Sequence, residues 1–135
     1  MLSLKLIRER PDLVREGLAR RGDSAPIDDI LRLDTERRQL LTEVENLRAR
    51  RNQVSQELSR MKQKPPELIA EMRQVGDRIK ARDSEVAKVA AELGGLLLLV
   101  PNLPHESVPV GKDESENVEI RRWGEPRDLD FAPLP

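Results

Sequence analysis

Cysteine and tyrosine are absent, and Trp123 and Phe131 are the only aromatic residues in 135. Without cysteine there is no disulfide, no thiolate metal site and no thiol nucleophile. With almost no aromatic side chains, anything ordered before Trp123 must be held by Leu, Ile, Val, Met and Ala, which fits a thin helical seam better than a thick core. The single histidine, His105, lies in a proline-rich loop with no nucleophile or ligand near it in sequence, so a structural or exposed role is expected. No apolar stretch approaches the ~18 residues of a membrane span, and the N-terminal apolar run is interrupted by charges. A soluble, cytoplasmic protein without a membrane partner is expected. No glycine-rich phosphate loop is present. Asp113, Glu114 and Glu116 are consecutive loop acids of the kind that stay solvated, so no metal is assigned.

What the chain does have is a long apolar stripe. Ile30, Leu33, Arg37, Leu40, Val44, Leu47, Arg51, Val54, Leu58 and Met61 follow 3-4 spacing. So do Leu68, Met72, Val75, Ile79, Arg82, Val86, Val89, Leu93, Leu96 and Val100. A seam this narrow, sustained over about five heptads, matches a coiled coil. Lys64-Pro65-Pro66-Glu67 interrupts it, because proline lacks an amide hydrogen and disfavours helix in the residue before it. The fold class expected is all-α. It comprises short helices within 1-22, a long antiparallel hairpin over 27-99 with its tip near 63-67, and a proline-rich C-terminal extension over 101-135.

Centring the turn on Pro65-Pro66 aligns residues whose numbers sum to about 133. That register sets Val54 against Ile79 and pairs Arg50 with Glu85, Glu57 with Arg78, Lys64 with Glu71 and Arg48 with Asp83. Such exposed pairs choose register more than they stabilise. Pro11 suits a first helical turn, Gly22 a left-handed stop, and Gly94-Gly95 a weakened last turn ending near Leu99. Val118 and Ile120 alternate with polar residues, so a short strand between Asn117 and Trp123 is expected.

Net charge is -1, yet the charges segregate. Arg48 to Arg82 holds ten cations and four anions, a balance of +6 against -7 for the remainder. A cationic tip on an acidic body attracts polyphosphate at one end, although a merely solvated helical surface has the same composition. Arg48, Asn52, Ser55, Ser59 and Lys62 form a polar stripe at 4-3-4-3 spacing. Short Asn and Ser admit a sugar-phosphate backbone and the cations bracket it; a solvated coiled-coil flank is the alternative. In the register above Arg51 and Arg82 share one layer and must snorkel outward. There they either clamp a phosphate together or pair with Glu85 or Asp83. Lys64, Lys80 and Arg82 complete the candidate set.

Three stretches carry a resemblance to a known family. They are Leu4 to Glu16, Arg51-Asn52-Gln53-Val54-Ser55, and Pro101 to Gly111 followed by Asp113 to Asn117 and Arg122-Trp123-Gly124-Glu125-Pro126. Together they resemble the N-terminal arm of bacterial seryl-tRNA synthetase, a class II aminoacyl-tRNA synthetase. Gln56 departs from the family pattern, which often has Lys there, and puts one phosphate contact in question. The resemblance implies an arm over residues 1-100 that lies along serine transfer RNA, reaching its long variable arm and elbow. With no aromatic on the hairpin, recognition would be of backbone and shape. It also implies a linker over 101-135 leading to a catalytic domain beyond Pro135. There serine would be attached to the RNA using ATP and Mg2+, and the full-length enzyme would dimerise. The 135 residues alone would hold no cofactor and charge no RNA. A protein-interaction coiled coil, either a scaffold or a chaperone-like tentacle, is the competing function.

Overall fold

The computed structural model describes residues 2–125 and Asp130, so Pro126 and Phe131 lie outside the described residues. Four α-helices make up the first of two compact units, residues 1–104: α1 (Leu4–Glu9), α2 (Pro11–Arg20), α3 (Ile27–Arg60) and α4 (Pro66–Leu98). The second unit, 105–135, contains a 3-10 turn at Glu114–Glu116.

Local chemistry sets each boundary. Ser3 caps α1, its Oγ accepting from the Leu6 amide at 3.2 Å. Pro11 opens α2, where its missing N–H costs nothing. Gly22 closes it at φ 69, with the Gly22 amide bonding to Ala19 O and the Asp23 amide to Leu18 O, both at 3.0 Å. This paired closure is a Schellman motif, and the left-handed residue it requires is cheapest as glycine. Pro66 starts α4, preceded by Pro65 in the extended conformation that a following proline imposes.

The helices α3 and α4 run antiparallel along each other, as the stripes predict. Ile30, Leu33, Val44 and Val54 of α3 are buried, as are Val75, Ile79, Val89 and Leu93 of α4 and Val100 just beyond it. One apolar stripe position fails, Met61, which is exposed; Arg51 is exposed too, as a cation leaving the seam must be. The core thickens at the base, where Ile7, Val14 and Leu18 of the short helices pack with Ile27, Ile30, Leu33, Val89, Leu93 and Val100. Leu103 extends this packing onto α2 at Gly17; a Cβ there would lie 2.6 Å from Leu103 Cδ2, so any larger residue would make the leucine side chain shift. Asp34, 1% exposed, is the buried polar residue of the base, held by Arg8 through two bonds of 2.6 and 2.9 Å. Helix α4 continues through Gly94-Gly95 to Leu98.

Two expectations are corrected. Val118, Ile120 and Trp123 are 66%, 84% and 87% exposed in a segment without strand, because no second strand is available among the described residues to satisfy its backbone. The register also shifts. Arg48 does meet Asp83, but Arg50 reaches Glu71 rather than Glu85, and Arg78 reaches Glu43 rather than Glu57. The cause lies at the turn: α3 stops at Arg60, so residues 61–65 form the reversal and its centre precedes the two prolines. Residues of α4 therefore face earlier residues of α3 than a turn centred on Pro65-Pro66 gives. Arg82 accordingly lies beside Glu43, not Arg51.

Candidate nucleic-acid interface

The distal hairpin has too thin a seam to enclose a pocket, so its chemistry is that of a surface. Side chains of α3 at 48, 52, 55 and 59 recur every three or four residues and therefore fall on one side of the helix. Arg51, Asn52, Ser55 and Ser59 are all exposed there, and Ser59 Oγ donates to Gln56 O at 2.7 Å. Lys62 and Lys64 lie past the end of α3, in the turn, and are exposed. Lys80 is exposed on α4.

The cations divide by whether a carboxylate already holds them. Arg48 Nη2 donates to both oxygens of Asp83, at 2.8 and 3.0 Å. Arg82 is half-buried and doubly held, with Nη1 2.6 Å from Glu85 and Nε 3.1 Å from Glu43. Its proton is bound more firmly than in a free guanidinium, first because it hydrogen-bonds to Glu85 and next because it bonds to Glu43. Of the readings open in the sequence for Arg82, pairing with Glu85 is the one found. Arg51, Lys62, Lys64 and Lys80 have no carboxylate within ion-pair distance among the described residues. A phosphate can engage these four without breaking an internal bond.

Arg73 belongs with them and was missed from the sequence. It is exposed and unpaired among the described residues, and it sits two helical turns before Lys80. That seven-residue spacing was the available signal. Arg37 is the reverse case, a cation in the seam whose buried Nε has no hydrogen-bond partner. Among the described residues no three carboxylates or histidines converge on a point where a metal could sit. No helix among them is long and apolar enough to cross a membrane.

Comparison with known proteins agrees with this geometry. Residues 1–104 match the family profile described as Seryl-tRNA synthetase N-terminal domain. The chain is 52% identical over 136 residues to the serine–tRNA ligase of Carboxydothermus hydrogenoformans, covering 98% of this chain and 32% of that protein. It is 53% identical over 137 residues to that of Thermomicrobium roseum, covering 100% and 31%. Among solved structures, seryl-tRNA synthetase from Pyrococcus horikoshii, complexed with ATP, superposes with a TM-score of 0.80 at 41% identity, over 92% of this chain and 29% of that one. The chain thus spans about a third of the length of the curated relatives it matches.

Proposed function

The chain belongs to the family of seryl-tRNA synthetase N-terminal domains, and from that premise we propose that it is the RNA-binding arm of a serine–tRNA ligase. The observation that carries this reading is the set of unpaired cations Arg51, Lys62, Lys64 and Lys80. They lie with Asn52, Ser55 and Ser59 on the distal half of a hairpin roughly 50 Å long, at ~1.5 Å per residue of α3. Phosphate contacts dominate nucleic-acid affinity, and a surface without aromatic rings reads backbone and shape rather than stacked bases. An arm that reads shape suits serine transfer RNA, whose long variable arm and elbow it would follow. Arg48 joins the site if RNA exchanges one oxygen of Asp83 for a phosphate. Arg82, already shared by two glutamates, is the least available of the candidates.

In this proposal residues 1-100 form the arm and 101-135 lead toward a catalytic domain. Serine activation with ATP and Mg2+ belongs to that domain, as does homodimerisation, and the enzyme works in the cytoplasm. Two measurements on the 135-residue chain test the proposal. In a mobility-shift titration, serine transfer RNA should bind more tightly than a transfer RNA with a short variable loop, and equal binding of both would remove the shape-reading claim. In an ATP-pyrophosphate exchange assay the chain should give no serine-dependent signal, and any such signal would overturn the division of labour.

A further inference from the structure

The distal arm has two flanks, and their charges are arranged differently. The Arg48–Asp83 bonds cross the hairpin and place both residues on one flank. From them the helical repeat carries that flank to Ser55 and Ser59 along α3, and to Lys80, Gly76 and Arg73 along α4. The other flank is fixed by Arg50–Glu71 and Arg78–Glu43, each at 3.6 Å. Arg82 leans to the same side, onto Glu43 and Glu85. On this second flank each of the three arginines faces a carboxylate. On the first, Arg73 and Lys80 face none among the described residues; Asp77, between them in sequence, is bonded to neither. The first flank is also low in relief: Gly76, Ser55 and Ser59 project little, and the space above Gly76 is open.

We infer that the arm is one-sided: the RNA phosphodiester backbone docks on the Arg48/Lys80 flank, with Arg73 and Lys80 of α4 as phosphate contacts opposite the α3 stripe. The Glu43/Arg78 flank is a neutral staple that holds the register and stays out of the interface. This rests on the RNA-binding reading and adds to it which surface is used and two ligands on α4. The logic is competitive. A phosphate arriving at the second flank must displace the carboxylate paired with Arg50, Arg78 or Arg82, whereas at the first it meets Arg73 and Lys80, which no described carboxylate holds, and only Arg48 must give up part of its bond to Asp83.

Two double variants of the full chain remove the same charge from opposite flanks: Arg73→Gln with Lys80→Gln, and Arg50→Gln with Arg78→Gln. Binding of a serine transfer RNA transcript is measured against salt concentration. The first pair should weaken binding at least about tenfold and flatten the log-log salt slope by a little under two, while the second should stay within about twofold. A third variant, Arg50→Glu with Glu71→Arg, reverses one staple and keeps both its pairing and its net charge, so it should bind like the parent; it carries the comparison if the second pair loses helicity. Equal losses from both flanks, or loss of binding by the reversed staple, overturn one-sidedness while leaving RNA binding intact. Failure of the parent chain to bind any RNA removes the proposed function instead.

Discussion

Asp34 is 1% exposed and both of its oxygens are taken by Arg8, whose Nε and Nη2 approach to 2.6 and 2.9 Å. A carboxylate enclosed this far is tolerable because a forked guanidinium satisfies it, and removal of that partner strands a buried charge. Arg8→Met should therefore lower the melting temperature by several degrees or more. Adding Asp34→Leu should recover much of the loss, since an apolar pair costs little where an orphaned charge costs a great deal. If the double variant is less stable than the single one, the pair is a net stabiliser and this account fails. Asp113 illustrates a surface carboxylate with a local task. It accepts from the Ser115 hydroxyl and amide at 2.6 and 2.9 Å, which hold it below its ordinary value of 3.8. Because the folded value is the lower one, the turn's stabilisation is present above 3.8 and lost as pH falls through the depressed value. A carboxyl NMR titration should show Asp113 with a midpoint below 3.8, rising when Ser115→Ala removes the hydroxyl donor.

Helix type, the antiparallel hairpin and the glycine and proline boundaries were legible because each rests on short-range chemistry: Pro11, Gly22 and Pro66 all stand where their backbones predict. Register was not, because it depends on where α3 stops. Met61 turns extended and bonds back to Leu58 O at 3.3 Å, and nothing at Met61 or Lys62 announces that stop. The Arg8–Asp34 pair was hidden for a related reason: 26 residues separate its members, and neither lies on an apolar stripe. Cysteine pairs separate the two registers directly. Glu43→Cys with Arg82→Cys should oxidise to an intramolecular disulfide much faster than Arg51→Cys with Arg82→Cys, and the reverse order would restore the register centred on Pro65-Pro66. Gly94 and Gly95 offer a second test within α4. A Cβ at either meets nothing within 4 Å, and the helix passes through both. Each Gly→Ala change should then stabilise by about 0.5–1 kcal/mol in denaturant unfolding. Destabilisation by either would mean that the flexibility of the native α4 is required there.

Across the 1–104 unit, apolar burial is unevenly spread. At the base four helices and the 100–103 segment converge on Ile7, Val14, Ile30, Leu33 and Leu93, whereas beyond Arg48 the seam is held by Val54, Val75 and Ile79, with Leu58, Leu68 and Met72 only partly covered. A two-helix seam covers fewer side chains completely than a third layer does; of these six, Val54 alone is fully covered. Opening of the distal arm therefore exposes little apolar surface and should occur without global unfolding. Ile30→Ala, which hollows the base, should cost on the order of 2–5 kcal/mol of global stability. Ile79→Ala should instead appear mainly as faster local opening. In native-state hydrogen exchange, amides of residues 50–58 and 70–80 should exchange faster than those of 28–35 and 88–94. A saturating polyanion should slow the distal set more than the basal one, since among the described residues the distal set carries the unpaired Arg51, Arg73 and Lys80 and the basal set only Lys88. Uniform protection along both helices would mean that the hairpin opens as a single cooperative unit, and that the thin seam does not set its dynamics.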